Sequence, residues 1–363
     1  MIKRKAILFP YNIDNYPLIR FKELLSQVDI INIDTRNNKF LLGKDFAELY
    51  MGESTGGLVQ KVETNDYDIL IIGDGNPLTN ETYIYNKVEN DAKSGKDIIS
   101  LYILQDIQRE ELKRICKKYS VEIKFLDGQN ANVAEIEIDN QKLYQMNVPI
   151  ILITGITERT KKIDSVLVLK EEFEKKGYKV SVIGSKSYSE LFGIHSFPQF
   201  MFDNILEEHK ILYFNSLCKN IEYYERPDAF IIAIPGSLIP YNDMFTNHFG
   251  ITAFEVGQAV PPDAVIVNIG YGEYDKNFFE NISNMVKYKI GENPTCYVMS
   301  NSLVDINSSK EEGKMQYYNV DMYEIDKKIK LMNLTIDKPI FNGLRNSDLK
   351  NMSDTLLNLL ESN

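Results

Sequence analysis

Tryptophan is absent from this 363-residue chain, and cysteine and histidine occur only three times each. Cys116, Cys218 and Cys296 form no Cys-x-x-Cys pair and no Cys/His cluster, so neither a disulfide framework nor a zinc site organises the molecule. His195, His209 and His248 are scattered, which leaves histidine-based catalysis little to build on. Long apolar runs are also missing. The longest, Pro149–Thr154 and Ala229–Pro235, fall far short of the roughly 20 residues a bilayer demands. Positive charge is scarce: 41 Lys and Arg face 52 Asp and Glu, for a net charge of −11. That balance argues against bulk nucleic acid as the main partner. It suits a cytoplasmic protein kept in solution by self-repulsion and permits a basic peptide partner. The opening Met1-Ile-Lys-Arg-Lys-Ala-Ile-Leu-Phe-Pro10 has too short an apolar stretch for a signal peptide and reads as a first strand.

What is present is ordinary globular material, 44% hydrophobic and 26% charged, enough at about 150 residues per domain for roughly two domains. Short apolar runs alternate with helical periodicity, the pattern of parallel sheets covered on both faces. The first set of strands is expected at Lys5–Pro10, Asp29–Asp34, Tyr67–Gly73, Asp97–Ile103 and Val121–Leu126. Helices are expected at Pro17–Gln27 and Ile107–Tyr119. A β-hairpin is expected where Ala134–Ile138 and Lys142–Met146 flank Asp139-Asn140-Gln141. The second set of strands is Pro149–Thr154, Tyr178–Ile183, Ala229–Ile234, Ala264–Ile269 and Thr295–Met299. A helix at Lys162–Lys176 stops at Gly177, Gln316–Ile325 alternates like a strand, and Asp348–Glu361 closes the chain as a helix. The expected architecture is α/β, two tandem Rossmann-like three-layer domains with mainly parallel sheets. They span residues 1–130 and 149–363, joined by a hairpin and linker over 131–148.

Ligands of open parallel sheets gather at the carboxyl ends of the strands. The sharpest motif there is Ile150-Ile-Leu-Ile-Thr-Gly155-Ile-Thr157-Glu158-Arg-Thr160-Lys161-Lys162. A strand runs into a glycine, a polar loop, a lysine and a helix, the layout of a phosphate-cradling Walker A loop. Gly155 matches the first glycine and Lys161 the lysine, but Thr160 replaces the second glycine and Lys162 the metal-binding hydroxyl. Glu158 adds a carboxylate where phosphate would sit. The loop is thus a degenerate P-loop-like site for a nucleotide, ATP or GTP, or for another anion; a plain strand–loop–helix connection is the alternative. Gly184-Ser185 after the second strand and Gly236-Ser237 after the third are candidates for the rim, or simple turns. Ile234 and Pro235 stand where a Walker B carboxylate belongs, which weakens a metal-dependent hydrolase. No Gly-x-Ser-x-Gly elbow marks Ser237 as a nucleophile. Glu255 and Gln258, three apart, would share a helix face, either solvated or turned into a groove between the domains. His195, Asp74 and Arg20 are further candidates for such a groove. No catalytic residue and no metal site is assigned.

Several ordered words resemble the clostridial peptide maturation system proteins. They are Phe9-Pro-Tyr-Asn12 with Pro17-Leu-Ile-Arg20, Gly43-Lys-Asp45, Ile150 through Gly155, Glu158 and Lys161, and Glu171-Glu-Phe173. Gly177-Tyr-Lys-Val180, Ile183-Gly-Ser185, Glu190-Leu-Phe-Gly-Ile-His-Ser-Phe-Pro198, Ile234-Pro-Gly236 and Phe249 through Val260 continue the likeness over nearly the whole chain. The resemblance implies cytoplasmic accessory work on a ribosomally synthesised peptide natural product. Its partner would be the precursor peptide or a radical SAM maturation enzyme. An ATP- or GTP-dependent ligase or kinase acting on the peptide is the alternative, and a pure scaffold a third reading.

Overall fold

The computed structural model describes residues 3–11, 13–33, 42–54, 57–59, 67–73, 81–102, 104–126 and 142–362. These fall into two compact units. One takes the described residues within Met1–Tyr50, Ser54–Asn130 and Ser187–Gly193; the other takes those within Met51–Glu53, Ala131–Lys186 and Ile194–Asn363.

The first unit is a five-stranded parallel sheet in the order β2-β1-β3-β4-β5. Its strands are β1 (Arg4–Phe9), β2 (Val28–Ile33), β3 (Ile69–Ile72), β4 (Asp97–Ser100) and β5 (Ile123–Phe125), the five expected. Its helices are α1 (Pro17–Arg20), α2 (Glu81–Lys93) and α3 (Asp106–Lys118). Ile84 and Val88 of α2 and Leu112 and Ile115 of α3 pack on Leu70, Ile72 and Ile98. The expected helix over Pro17–Gln27 is shorter. Phe21 leaves helical geometry at φ −113°, and only a 3₁₀ turn, Lys22–Leu24, follows. Ser187–Gly193 belongs here through the Leu191 carbonyl, which accepts from the Ser26 amide at 2.8 Å.

The second unit is a seven-stranded parallel sheet in the order β14-β11-β10-β6-β9-β7-β8. Its strands are β6 (Ile150–Gly155), β7 (Val180–Gly184), β8 (His195–Ser196), β9 (Ala229–Ala233), β10 (Ala264–Ile269), β11 (Cys296–Met299) and β14 (Ile340–Asn342). An antiparallel pair, β12 (Ser302–Asp305) and β13 (Gln316–Asn319), lies outside that sheet. The helices are α4 (Lys162–Lys175), α5 (Glu207–Glu225), α6 (Ile251–Ala259), α7 (Lys276–Ile290), α8 (Ile306–Glu312), α9 (Met322–Met332) and α10 (Asn346–Glu361). Every residue of β6, β9 and β10 is buried. Side chains of a strand alternate between faces, so both faces of the sheet are covered. α4 and α10 pack together on one another, and α5, α6 and α7 pack in sequence.

Two local expectations are corrected. Lys142–Met146 forms no strand; the other arm and the turn of the expected hairpin lie outside the described residues. Side chains of α5 take up the backbone of this segment instead. Asn215 accepts from the Tyr144 amide at 2.7 Å and donates to its carbonyl at 2.9 Å. Glu222 accepts from the Asn147 amide at 2.5 Å, and Lys219 donates to the Gln145 carbonyl at 2.8 Å. Gln316–Ile325 is a strand only to Asn319. The Asp321 carboxylate then caps α9 by accepting from the Tyr323 amide, and a capped N-terminus prevails over the alternating pattern.

Candidate functional site

β6 is the central strand, and the chain leaves it and its neighbour β10 in opposite directions. From β6 the helix α4 leads toward β7, whereas from β10 the helix α7 leads toward β11 on the other side. Such a reversal opens a crevice at the carboxyl edge of a parallel sheet. The Gly155–Lys162 loop stands at that point.

Gly155 cannot carry a side chain. A Cβ there would meet Thr160 Oγ1 at 2.3 Å and the Thr157 carbonyl at 3.0 Å. The loop closes on itself: the Thr160 hydroxyl donates to the Thr157 carbonyl at 3.3 Å, and that of Thr157 to the Glu158 carbonyl at 3.2 Å. Arg159 and Lys161 adopt left-handed backbone conformations, with φ of 55° and 59°. Thr157, Thr160, Lys161 and Lys162 are buried, whereas Glu158 and Arg159 are exposed. Among the described residues, the amides of Thr157, Glu158, Thr160 and Lys162 find no hydrogen-bond acceptor. Unpaired N–H groups that open a helix are the donors a phosphate needs.

The loop is held from three sides. The Ile156 amide donates to the Asn268 carbonyl at 3.0 Å. Asn268 Nδ2 donates to the Thr160 carbonyl at 3.0 Å and to Ser165 Oγ at 3.1 Å. Ser302 Oγ donates to the Arg159 carbonyl at 2.7 Å, and the Arg159 guanidinium lies 5.4 Å over the Tyr317 ring. On the β9 side, the Leu238 amide donates to the Gly155 carbonyl at 2.7 Å.

The cation seated in the cradle is Lys162. Its Nζ hydrogen-bonds the Gly236 carbonyl and stands 3.4 Å from the point a Gly155 Cβ would occupy. Lys161, the residue at the Walker lysine position, is the left-handed N-cap preceding it. Burial, reinforced by Lys186 and opposed by Glu158, pulls the Lys162 amine down to about 7. The Ser237 hydroxyl, next to that carbonyl, is buried and finds no hydrogen-bond partner among the described residues.

Gly155, Thr157, Glu158, Thr160 and Lys161 thus form one loop, and hydrogen bonds join Gly236 and its neighbours to it. Gly184 ends β7 on the same sheet edge. Ser185 follows it, and Lys186 is close enough to act on Lys162. The other candidates stand elsewhere. His195 is on the edge strand β8, with Nε2 2.6 Å from Glu225 Oε1. Glu255 and Gln258 do not share an environment: Glu255 is buried, Gln258 exposed. The buried stripe of α6 runs through Ala253, Val256 and Gly257 and takes Glu255 inward. There Lys210 Nζ lies 3.9 Å away and burial holds its carboxyl above the usual range. Arg20 belongs to the first unit, its guanidinium 4.9 Å from the Phe21 ring and 5.9 Å from that of Tyr50. Asp74 lies outside the described residues.

Lys162, Asn268 and Ser302 were not singled out in the sequence as contributors to the loop. A lysine beside a lysine does not announce which one turns inward. Asn268 is identifiable only once β10 is known to pair with β6, which sets it opposite Gly155. Neither neighbouring strand ends in a carboxylate: β9 runs into Ile234-Pro235, and β10 carries Asn268 and ends at Ile269. Among the described residues no group of three or more His, Cys, Asp or Glu side chains is placed to share a metal ion. None of their helices is long and apolar enough to cross a membrane. All three cysteines are free and buried, with thiols raised by burial and so unreactive.

No family model matches the sequence, and no curated protein matches it. Solved structures share its fold. A DUF1611 family protein from Anabaena variabilis superposes with a TM-score of 0.62 at 12% identity, over 99% of this chain and all of that one. A putative plasmid partition protein from Borrelia burgdorferi, solved bound to AMPPNP, is 14% identical over 60% of this chain and 99% of its own. Its TM-score is 0.34. The first likeness shows the fold: two mainly parallel α/β sheets in one chain, the second built around a P-loop-like strand–loop–helix.

Proposed function

We propose that the protein binds a phosphate-bearing ligand of the nucleotide class, ATP or GTP, at the Gly155–Lys162 loop. We propose further that it uses this site as a cytoplasmic accessory in the maturation of a ribosomally made peptide. The observation that carries the first half is the buried Lys162 amine, seated at a loop in which, among the described residues, the Thr157, Glu158, Thr160 and Lys162 amides find no acceptor. A buried cation and unpaired donors are both costly in isolation, and one bound anion relieves both. The second half rests on the sequence resemblance, with the precursor peptide or a radical SAM enzyme as partner. Binding is favoured over phosphoryl transfer because the strands flanking β6 supply no carboxylate to hold the metal that such transfer uses.

Calorimetric titration of ATP and GTP, repeated on Lys162→Met, tests the first half. Saturable binding is expected, weakened about tenfold or more in the variant. No binding of either nucleotide to the wild type would refute it. For the second half, co-purification of the precursor peptide or the radical SAM enzyme from a cell expressing the whole cassette is expected. Absence of both would refute the accessory role.

A further inference from the structure

In a metal-assisted phosphate loop the residue after the lysine is Ser or Thr, and its hydroxyl binds Mg²⁺. Here that residue is Lys162, and its side chain is not turned away from the loop. It is 8% exposed, and its Nζ is bound to the Gly236 carbonyl beside Gly155. We propose that the Lys162 ammonium takes the place of the divalent cation, so that the loop accepts its phosphate ester free of Mg²⁺. The inference rests on reading this loop as a phosphate site, and it specifies the ionic form of the ligand.

Three further observations converge on it. An ammonium has three N–H donors, and among the described residues only one acceptor, the Gly236 carbonyl, is found for Lys162. The others are left for a ligand oxygen. The neighbouring Ser237 hydroxyl, also buried, finds no partner among the described residues and is a further donor at the same place. Mg²⁺ dehydrates reluctantly and is held through one or two carboxylates together with phosphate oxygens. The ends of β9 and β10 offer Ile234-Pro235 and Asn268 instead, and the fixed charges acting on Lys162 are Lys186 and Glu158. A hydrated dication brought there would face two ammonium groups and one exposed carboxylate. A phosphate dianion would meet two ammonium groups and the amides of Thr157, Glu158, Thr160 and Lys162. Burial holds the ligand-free Lys162 amine near 7, and an adjacent dianion favours its protonated form.

The test is titration of ATP into the full chain in EDTA and in excess Mg²⁺, with Lys162→Thr alongside to restore the metal-binding hydroxyl. Binding in EDTA is expected to equal or exceed that in Mg²⁺, and Lys162→Thr is expected to reverse the order. Wild-type binding about tenfold or more weaker in EDTA than in Mg²⁺ would overturn the inference and leave the nucleotide site standing. No binding in either buffer would overturn the phosphate reading itself. The wild-type comparison decides the matter even where the variant fails to fold.

Discussion

Lys162 and Gly236 are 74 residues apart, and a hydrogen bond from the lysine Nζ to the glycine carbonyl joins them across adjacent strand exits. The bond turns a lysine at the first position of α4 inward, under a loop that presents unpaired amides. The predictions below follow from that placement.

Ionisation of Lys162 should be visible in the pH dependence of stability. Its amine titrates at about 7 in the folded protein, against 10.5 for the free side chain. Between those values the unfolded chain binds more protons, so stability rises with pH by at most about 1.4 kcal/mol per unit. Below the folded value the charge is buried and its cost is present in full. Denaturant midpoints of the wild type should therefore climb relative to Lys162→Met from about pH 7 toward about pH 10. Parallel curves would contradict the burial of this charge. Phosphate binding should show the opposite trend, tightest below about pH 7, because the anion selects the protonated amine.

Gly155→Ala should damage both fold and site. Its Cβ would meet Thr160 Oγ1 at 2.3 Å and a backbone carbonyl at 3.0 Å, and the backbone cannot move aside cheaply. A loss of about 1–3 kcal/mol in urea unfolding is expected, together with loss of nucleotide binding.

Asn268→Leu keeps the branched outline of the side chain but removes the donor shared by the Thr160 carbonyl and Ser165. Leaving a buried carbonyl unpaired costs about 1–3 kcal/mol. Because the loop loses its support from β10, nucleotide affinity should fall with stability, even though Asn268 is not proposed to touch the ligand.

Asn215→Ala should free the segment ahead of β6. Asn215 supplies both backbone bonds of Tyr144, as a partner strand would. Unfolding measurements should show a loss of about 1–3 kcal/mol. Limited proteolysis should cut sooner between residues 142 and 148. An unchanged cleavage pattern would mean that Lys219 and Glu222 suffice.

The parallel strands of both sheets are legible in the sequence because burial on two faces leaves continuous apolar runs such as Ile150–Ile153 and Ala264–Val267. The edge strands of the second sheet are not: β8 and β14 are two and three residues long, and their pairing comes from neighbours rather than from a pattern of their own. The strand–loop–helix motif could be read, because Gly155 and the lysines sit at fixed offsets. The identity of the seated cation could not. It depends on left-handed backbone at Arg159 and Lys161, which non-glycine residues do not announce, and on the position of Gly236, 74 residues away in sequence. Likewise Glu255 and Gln258 fall about 60° apart on a helical wheel, and only the packing of α6 decides that one is buried and the other exposed.

The most direct test of the central claim is an amide-resolved NMR titration of the protein with ATP. The account predicts saturable shifts concentrated at Thr157, Glu158, Thr160, Lys162 and Ser237, and their loss in Lys162→Met with the remaining spectrum unchanged. Saturable shifts that leave this loop untouched, or no shifts at all, would contradict it.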